Sequence, residues 1–179
     1  MKKLGLLIIA FWIVALTVAA CGGSSSPSGT LEVIVKDAPP AGVTKVLVTT
    51  KNIQVHRAGA GDDSGWETVI GDERTFDLVA VSQVAQILGA GTLPVGSYTQ
   101  VRMDVPKVRV TANGVDFDAT VPSEKLKLVG NFNVNANATT SLTLDFIGDQ
   151  SLVLTGQGKA LFKPVVKLEV GDKAPGAKP

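Results

Sequence analysis

Few side chains in this sequence have the chemistry that catalysis or metal binding needs. It holds one cysteine, Cys21, and one histidine, His56. A nucleophilic site requires a nucleophile, a base within hydrogen-bond reach and a third group that orients the base. A catalytic zinc is usually held by several protein ligands, often imidazoles. The alternation around His56 predicts an exposed strand residue, and no catalytic residue, metal site or cofactor is predicted.

Two pairs of carboxylates are the remaining candidates for acid–base or cation chemistry. Asp62 and Asp63 share a glycine-rich stretch, and Asp116 and Asp118 fall on one face of a predicted strand. Such pairs can bind calcium or act as acid and base. Neither pair has the recurring oxygen ligands of a calcium loop. The sequence therefore favours solvated hairpin residues and a protein that is not an enzyme.

Two aromatic residues, Trp66 and Tyr98, are candidates for ligand binding because either ring could stack on a sugar. Packing in the core is the alternative for both. Trp66 alternates with Thr68 and Ile70. Tyr98 follows Gly96 at the start of a predicted strand, where a tyrosine often faces inward and donates its hydroxyl to the backbone.

The apolar N-terminus is typical of an export signal. Lys2 and Lys3 precede 17 residues, Leu4 to Ala20, that are apolar or nearly so, and small residues come directly before Cys21. A transmembrane helix is the alternative, but such a length is at the lower end of the roughly 17–25 residues that span a bilayer. The segment 1–20 is therefore predicted to be a signal peptide.

Val18-Ala19-Ala20-Cys21 resembles the bacterial lipobox. The resemblance implies cleavage before Cys21 and lipidation of its thiol, which gives several acyl chains where one alone binds a membrane only marginally. A buried free cysteine is the alternative, although a lone cysteine in an exported chain has no disulfide partner. The predicted location is the cell membrane or outer membrane, with the domain lipid-anchored on the extracytoplasmic side.

The charge balance argues against a nucleic-acid partner. The full chain has 17 basic and 16 acidic residues. Without Lys2 and Lys3 the basic residues fall to 15, so the mature chain has a net charge of −1. Nucleic-acid binding needs a concentrated basic face, and no such cluster follows the signal.

Short segments that alternate apolar and polar residues dominate the rest of the chain. About nine of them are separated by turn signals, without a βαβ rhythm. This pattern predicts an all-β fold, an antiparallel β-sandwich of immunoglobulin-like or transthyretin-like topology. A closed barrel of lipocalin type is the alternative. We expect a lipidated cysteine and flexible linker over 21–29, the sandwich over 30–170 and a disordered tail over 171–179.

Local signals add detail to this prediction. The apolar phase shifts within the second long segment, which predicts a β-bulge near Lys51-Asn52. Pro106 shifts the phase of another strand and requires a bulge or an edge position there. Asn113-Gly114 predicts a type I′ hairpin turn. Apolar residues between Val81 and Leu88 fall at helical spacing, so this segment is predicted to be the one short helix.

Three segments resemble a bacterial and archaeal family known as domain of unknown function 4382. They are the opening GTLEVIVKDAP, the block from Phe76 to Val105 and the closing FKPVVKLEV. The most specific pieces are Asp77-Leu78, the run Leu93-Pro94-x-Gly96-x-Tyr98-Thr99-Gln100-x-Arg102, and Pro164-Val165-Val166. The resemblance covers nearly all of residues 29–170. It implies a lipid-anchored or exported β domain and carries no catalytic residues.

These observations favour a non-enzymatic, lipid-anchored envelope protein whose sandwich binds or scaffolds another envelope component. The membrane is the expected partner of the lipid anchor. The long segment Val43–Arg57 is a candidate edge strand for pairing with a partner protein, provided that its neighbours leave it unpaired. The alternative is a carbohydrate or small-ligand binding module that uses Trp66 and the loops near it.

Overall fold

The computed structural model of the chain describes residues 26–38, 41–156 and 158–173. These residues form twelve strands and two single-turn helices. The strands are β1 (Ser28–Ala38), β2 (Lys45–Arg57), β3 (Trp66–Ile70), β4 (Arg74–Asp77), β5 (Gln86–Pro94), β6 (Gly96–Ala112), β7 (Val115–Thr120), β8 (Lys125–Val134), β9 (Thr139–Ile147), β10 (Leu152–Gly156), β11 (Lys159–Phe162) and β12 (Val166–Lys173). The helices are α1 (Leu78–Val81) and α2 (Gly148–Ser151). The first of these strands begins at Ser28 and the last ends at Lys173.

The strands make two sheets. A four-stranded sheet has the order β12-β9-β1-β5. An eight-stranded sheet has the order β10-β11-β7-β6-β2-β3, with β4 also beside β2 and β8 also beside β6. Most pairs are antiparallel, but β1 pairs with β9 and β7 with β11 in parallel. Within the described residues the strands do not close into one barrel, so the predicted all-β sandwich is confirmed and the lipocalin-type alternative is wrong.

The core lies between the two sheets because each strand buries alternate side chains. Leu31, Val33 and Val35 of β1 are fully buried. From opposite sheets, the rings of Phe76 and Phe146 meet with their centroids 5.5 Å apart. Buried aliphatic and aromatic side chains from both sheets form one continuous cluster. Burial of each contributes about 1.5–3 kcal/mol relative to an exposed side chain.

Two compensating bulges keep the apolar faces of β2 and β6 on the core. Thr49 pairs with Lys107 but Lys51 pairs with Asp104, so β6 has an extra residue in this interval. Gln54 then pairs with Arg102, so β2 has the next extra residue. The predicted bulges near Lys51-Asn52 and at Pro106 are therefore confirmed. Because β2 pairs with β6 on one side and with β3 and β4 on the other, the expectation of an edge strand over Val43–Arg57 is wrong.

The predicted turn between β6 and β7 is confirmed. Asn113 and Gly114 have φ angles of 51° and 74°, as a type I′ turn requires at both central positions. Ala112 and Val115 are the last residues paired across the hairpin. The end of β6 and the start of β7 therefore form one continuous hairpin.

The predicted helix between Val81 and Leu88 is wrong. The helix α1 is a single turn that ends at Val81, and Leu88 lies in β5, which pairs with β1. Long-range pairing with β1 thus overrides the helical spacing of the apolar residues. Asp77 precedes the helix and caps it, since its Oδ1 accepts hydrogen bonds of 3.0 Å from the backbone N–H groups of Val79 and Val46. The first residue of the Asp77-Leu78 pair therefore joins β2 to α1.

Candidate functional site

Trp66 and His56 form an aromatic pair on the outer face of the eight-stranded sheet. They are directly opposite across β3 and β2, and their ring centroids are 4.7 Å apart. His56 is only 4% exposed, so the prediction of an exposed histidine is wrong. Its Nε2 lies 3.0 Å from the carbonyl oxygen of Gly61, and Nδ1 is buried with no partner among the described residues. The glycine-rich loop between β2 and β3 thus encloses a histidine that alternation alone places in solvent.

The indole of Trp66 is half-buried and already stacked. The guanidinium carbon of Arg102 lies 3.9 Å from the ring centre, and the indole Nε1 donates to the carbonyl oxygen of Asp62 at 2.9 Å. Gln54 fixes Arg102 by accepting from its Nε at 2.8 Å. A cation over an aromatic face is an attractive contact in itself. Trp66 therefore has one face covered by this arginine, and a sugar could reach that face only by displacing it.

Tyr98, the second predicted ligand-binding residue, is fully buried. Its hydroxyl donates to the carbonyl oxygen of Pro94 at 2.9 Å, and its ring stacks on Phe132 with centroids 5.5 Å apart. Burial raises the pKa of the hydroxyl. The structure therefore places Tyr98 in the core, away from any ligand, and does not bring it together with Trp66 as one site. This hydrogen bond closes the turn between β5 and β6, which the run Leu93-Pro94-x-Gly96-x-Tyr98 forms.

The two carboxylate pairs occupy separate hairpins. Asp116 accepts from the hydroxyl of Thr111 at 2.6 Å and lies 3.6 Å from the guanidinium of Arg109. Asp118 is exposed on the same face of β7, and Asp62 and Asp63 are exposed in the loop between β2 and β3. Among the described residues no three histidine, cysteine or acidic side chains converge as metal ligands.

Asp37, which the sequence did not distinguish, is the carboxylate most changed by folding. Neither carboxylate oxygen has a hydrogen-bond partner among the described residues. The pKa of Asp37 is raised to about 7, chiefly by burial, with a smaller contribution from the nearby charges of Asp145 and Asp149. The backbone N–H groups of Gly148 and Ala38 oppose this rise without reaching hydrogen-bond geometry. Ionisation of Asp37, at the end of β1, is therefore unfavourable in the folded state.

The eight-stranded sheet extends beyond the four-stranded sheet at one end. The ring of Phe76 touches that of Phe146. Phe76 of β4 pairs with Val48 of β2, and Val48 pairs on its other side with Val108 of β6. The strand β9 ends one residue after Phe146, whereas β6 continues for four residues past Val108 to Ala112. The inner face of the hairpin that β6 and β7 form therefore extends past the sheet that covers the rest of the core.

A groove of about 240 Å³ lies on this uncovered face. We call it the distal groove. Val115 and Leu154, from its two walls, are 59% and 41% exposed, and Phe117 lines the groove on the same side as Val115. The lining residues are Ala112, Asn113, Val115, Phe117, Leu154, Gly158 and Lys159. Alternation predicts the inward faces of β6 and β7, but no sequence signal reveals that the opposite sheet stops short of them.

The distal groove and the start of β1 lie at opposite ends of the domain. Ser28 pairs with Pro94, and Ser28 accepts from the N–H of Asn137. The strand β6 starts beside this end at Gly96 and finishes at the groove, and its 17 residues span roughly 55 Å at about 3.3 Å per residue. The groove therefore lies at the end of the domain that is farthest from Ser28, where β1 begins.

The predicted anchor falls outside the described residues. Cys21, the signal segment 1–20 and residues 22–25 of the linker all belong to the part that the structure does not describe. Within residues 26–38, 41–156 and 158–173, no helix has the length and apolar character that a bilayer crossing needs.

The sequence matches a family model described as "Domain of unknown function (DUF4382)" over residues 28–164. The chain belongs to this family. The resemblance seen in the Asp77-Leu78 and Tyr98 motifs is thereby confirmed. No curated protein sequence matches this DUF4382 chain.

Two solved structures show a distant likeness to this DUF4382 domain. One is a leucine-rich repeat protein from Bacteroides thetaiotaomicron, with 16% identity and a TM-score of 0.27. The other is a candidate cell adhesion protein from Bacteroides ovatus, with 12% identity and a TM-score of 0.22. The matches cover 76% and 82% of this chain but only 14% and 45% of those proteins. Superpositions this loose establish no shared function.

Proposed function

We propose that this DUF4382 protein is a non-enzymatic, lipid-anchored envelope protein whose β-sandwich binds and scaffolds another envelope protein. The lipobox ending in Cys21 supports the anchor, and the short distance in sequence from Cys21 to Ser28 keeps the domain near the membrane. Six residues separate Cys21 from Ser28, so the two cannot lie more than about 25 Å apart. The domain would then present its opposite end to the envelope space.

The distal groove is the observation that carries this proposal. Core-type side chains such as Val115 and Leu154 are left partly in solvent there, and an apolar patch rimmed by polar residues marks an interaction site in many proteins. The groove lies at the end farthest from Ser28, where an anchored domain could meet a partner without obstruction from the membrane.

The chemistry of the side chains supports a binding role over an enzymatic one. His56 is enclosed beneath Trp66 and the Gly61 carbonyl, so its imidazole offers no open approach to a substrate. Asp116 is engaged by Thr111 and Arg109. The arginine stacked on Trp66 favours a protein partner over a sugar stacked on that ring.

Two experiments on the full-length chain test the proposal. Cys21→Ala should abolish labelling by a radioactive fatty acid and release the domain from the membrane fraction; persistent labelling would refute the anchor. Photo-crosslinking residues introduced singly at exposed positions across the domain should capture one recurrent envelope protein in cells. Retention of the soluble domain on glycan material without a protein neighbour would favour the carbohydrate-binding alternative.

A further inference from the structure

We propose that this end of the domain receives an extended segment of the partner protein, which pairs with the edge of β10 and packs alternate apolar side chains over Leu154 at the wall of the distal groove. This inference rests on the proposed binding function and specifies its site and the chemistry of the partner. The occupant that we infer is a β-strand with apolar residues at every second position and a carboxylate near Lys159.

The first argument is the free backbone edge of β10. This strand is the last in the order of the eight-stranded sheet, with β11 as its one paired neighbour among the described residues. Alternate residues of an edge strand present unpaired N–H and C=O groups, which another strand can satisfy. Val153 and Leu154 of this edge are 52% and 41% exposed, and no charged side chain in Leu152–Thr155 blocks it.

The second argument is the direction of the side chains. Leu154 pairs with Ala160, and Ala160 pairs with Ala119 of β7, so these residues share the inner face with Phe117. A strand added beside β10 would place every second side chain on this same face. Backbone pairing would therefore set alternate side chains of the added strand against Leu154, at the outer wall of the groove.

The third argument is the size of the groove. A volume of about 240 Å³ is smaller than the roughly 300–1,000 Å³ of pockets that enclose drug-sized ligands. Its walls are mostly apolar, with Val115 and Phe117 on one side and Leu154 on the other. A site of this size and polarity suits one or two apolar side chains of a peptide better than a cofactor or a glycan.

Charge complementarity indicates the polar part of the occupant. Lys159 is the one charged residue that lines the groove, and among the described residues no carboxylate lies within ion-pair distance of its amino group. An acidic side chain or a terminal carboxylate in the added strand would supply that partner. A rim charge of this kind chiefly sets the association rate and the choice of partner.

The test places a photo-crosslinking residue at position 153 of the full-length chain in its native envelope. Mass spectrometry should map the crosslink to one segment of one protein, with apolar residues at alternate positions. Leu154→Glu should lower the yield at least about tenfold, because it removes an apolar wall of the groove and docking would have to desolvate the new carboxylate. Val129→Glu is the matched control, since Val129 is 80% exposed on the outer face, and it should leave the yield unchanged.

A second pair of variants and a second measurement distinguish loss of binding from misfolding. Lys159→Glu should reduce capture, whereas Lys127→Glu on the outer face of β8 should not. Thermal unfolding must show all four variants folded. A synthetic peptide copied from the captured segment should slow the amide hydrogen exchange of β10 in the wild-type chain. The same peptide with proline at its central position should give no protection.

Two outcomes separate failure of this inference from failure of the proposed function. Capture of a partner from a crosslinker at position 84 or 129, with none from 153, would leave the binding function standing and overturn the site. The absence of any protein neighbour at all of these positions would overturn both. Capture from 153 without protection of the β10 amides would refute strand addition as the mode of binding.

Discussion

Replacing Asp37 with asparagine tests whether a buried carboxylate makes this fold sensitive to pH. Burial, with help from Asp145 and Asp149, raises the pKa of Asp37 from 3.8 to about 7. Asparagine has nearly the same shape but no ionisable proton. The substitution therefore removes the ionisation penalty and leaves the packing at the end of β1 in place.

The sign and size of the effect follow from linkage. Between pH 4 and 7 the folded state holds the Asp37 proton more tightly than the unfolded state, so the free energy of unfolding falls as pH rises through this range. At about 1.4 kcal/mol per unit, the full shift would correspond to roughly 4 kcal/mol. Asp37 is only half-buried, and solvent screening reduces this to about 2 kcal/mol. Above pH 7 the penalty remains but no longer changes.

The assay is urea unfolding of the wild type and Asp37→Asn at half-unit steps from pH 4 to 8. The two should be equally stable at pH 4, and the variant should be more stable by about 2 kcal/mol at pH 8, or roughly 4–8 °C in Tm. Asp118→Asn, which removes an exposed carboxylate of β7, should show no such divergence. A difference between wild type and Asp37→Asn that stays constant with pH would refute the reasoning.

Substitutions at three further positions probe contacts that hold the fold. Asp77→Ala should cost about 1–2 kcal/mol of unfolding free energy by removing the cap of α1 and its bond to β2; Asp77→Asn, which keeps an acceptor, should cost less, and equal losses would argue against the cap. Tyr98→Phe should cost about 1 kcal/mol by leaving the Pro94 carbonyl without its donor, as measured by urea unfolding. Gly91→Ala should destabilise by roughly 1–3 kcal/mol through overpacking, because an added Cβ would lie 2.7 Å from the Val69 carbonyl oxygen; an unchanged Tm would show that the edges of the two sheets can separate.

Much of the strand structure could be predicted from the sequence because its signals are local. The bulge near Lys51-Asn52 follows from the phase of the apolar residues, and the turn at Asn113-Gly114 follows from backbone preferences of two residues. The inward position of Tyr98 also belongs to a recognisable pattern, a tyrosine just after a turn. In each case the residues that carry the signal are also the residues that adopt the structure.

The errors occurred where distant parts of the chain decide the outcome. Val81, Val84 and Leu88 have helical spacing, but pairing of β5 with β1 across more than fifty residues makes the last of them a strand residue. Val84, which lies between them, is 75% exposed. His56 alternates as a surface residue, yet the loop that follows it folds back over its ring.

The candidate site divides in the same way between sequence and structure. By itself, the sequence determined the all-β class and the DUF4382 family, because alternation and motifs are properties of neighbouring residues, whereas lipidation at Cys21 stays a prediction. Only the tertiary structure decided that His56 lies buried beneath a loop and that Leu154 lies beside an uncovered part of the core. Burial depends on where the opposite sheet ends, and that boundary is set by strands far away in the chain.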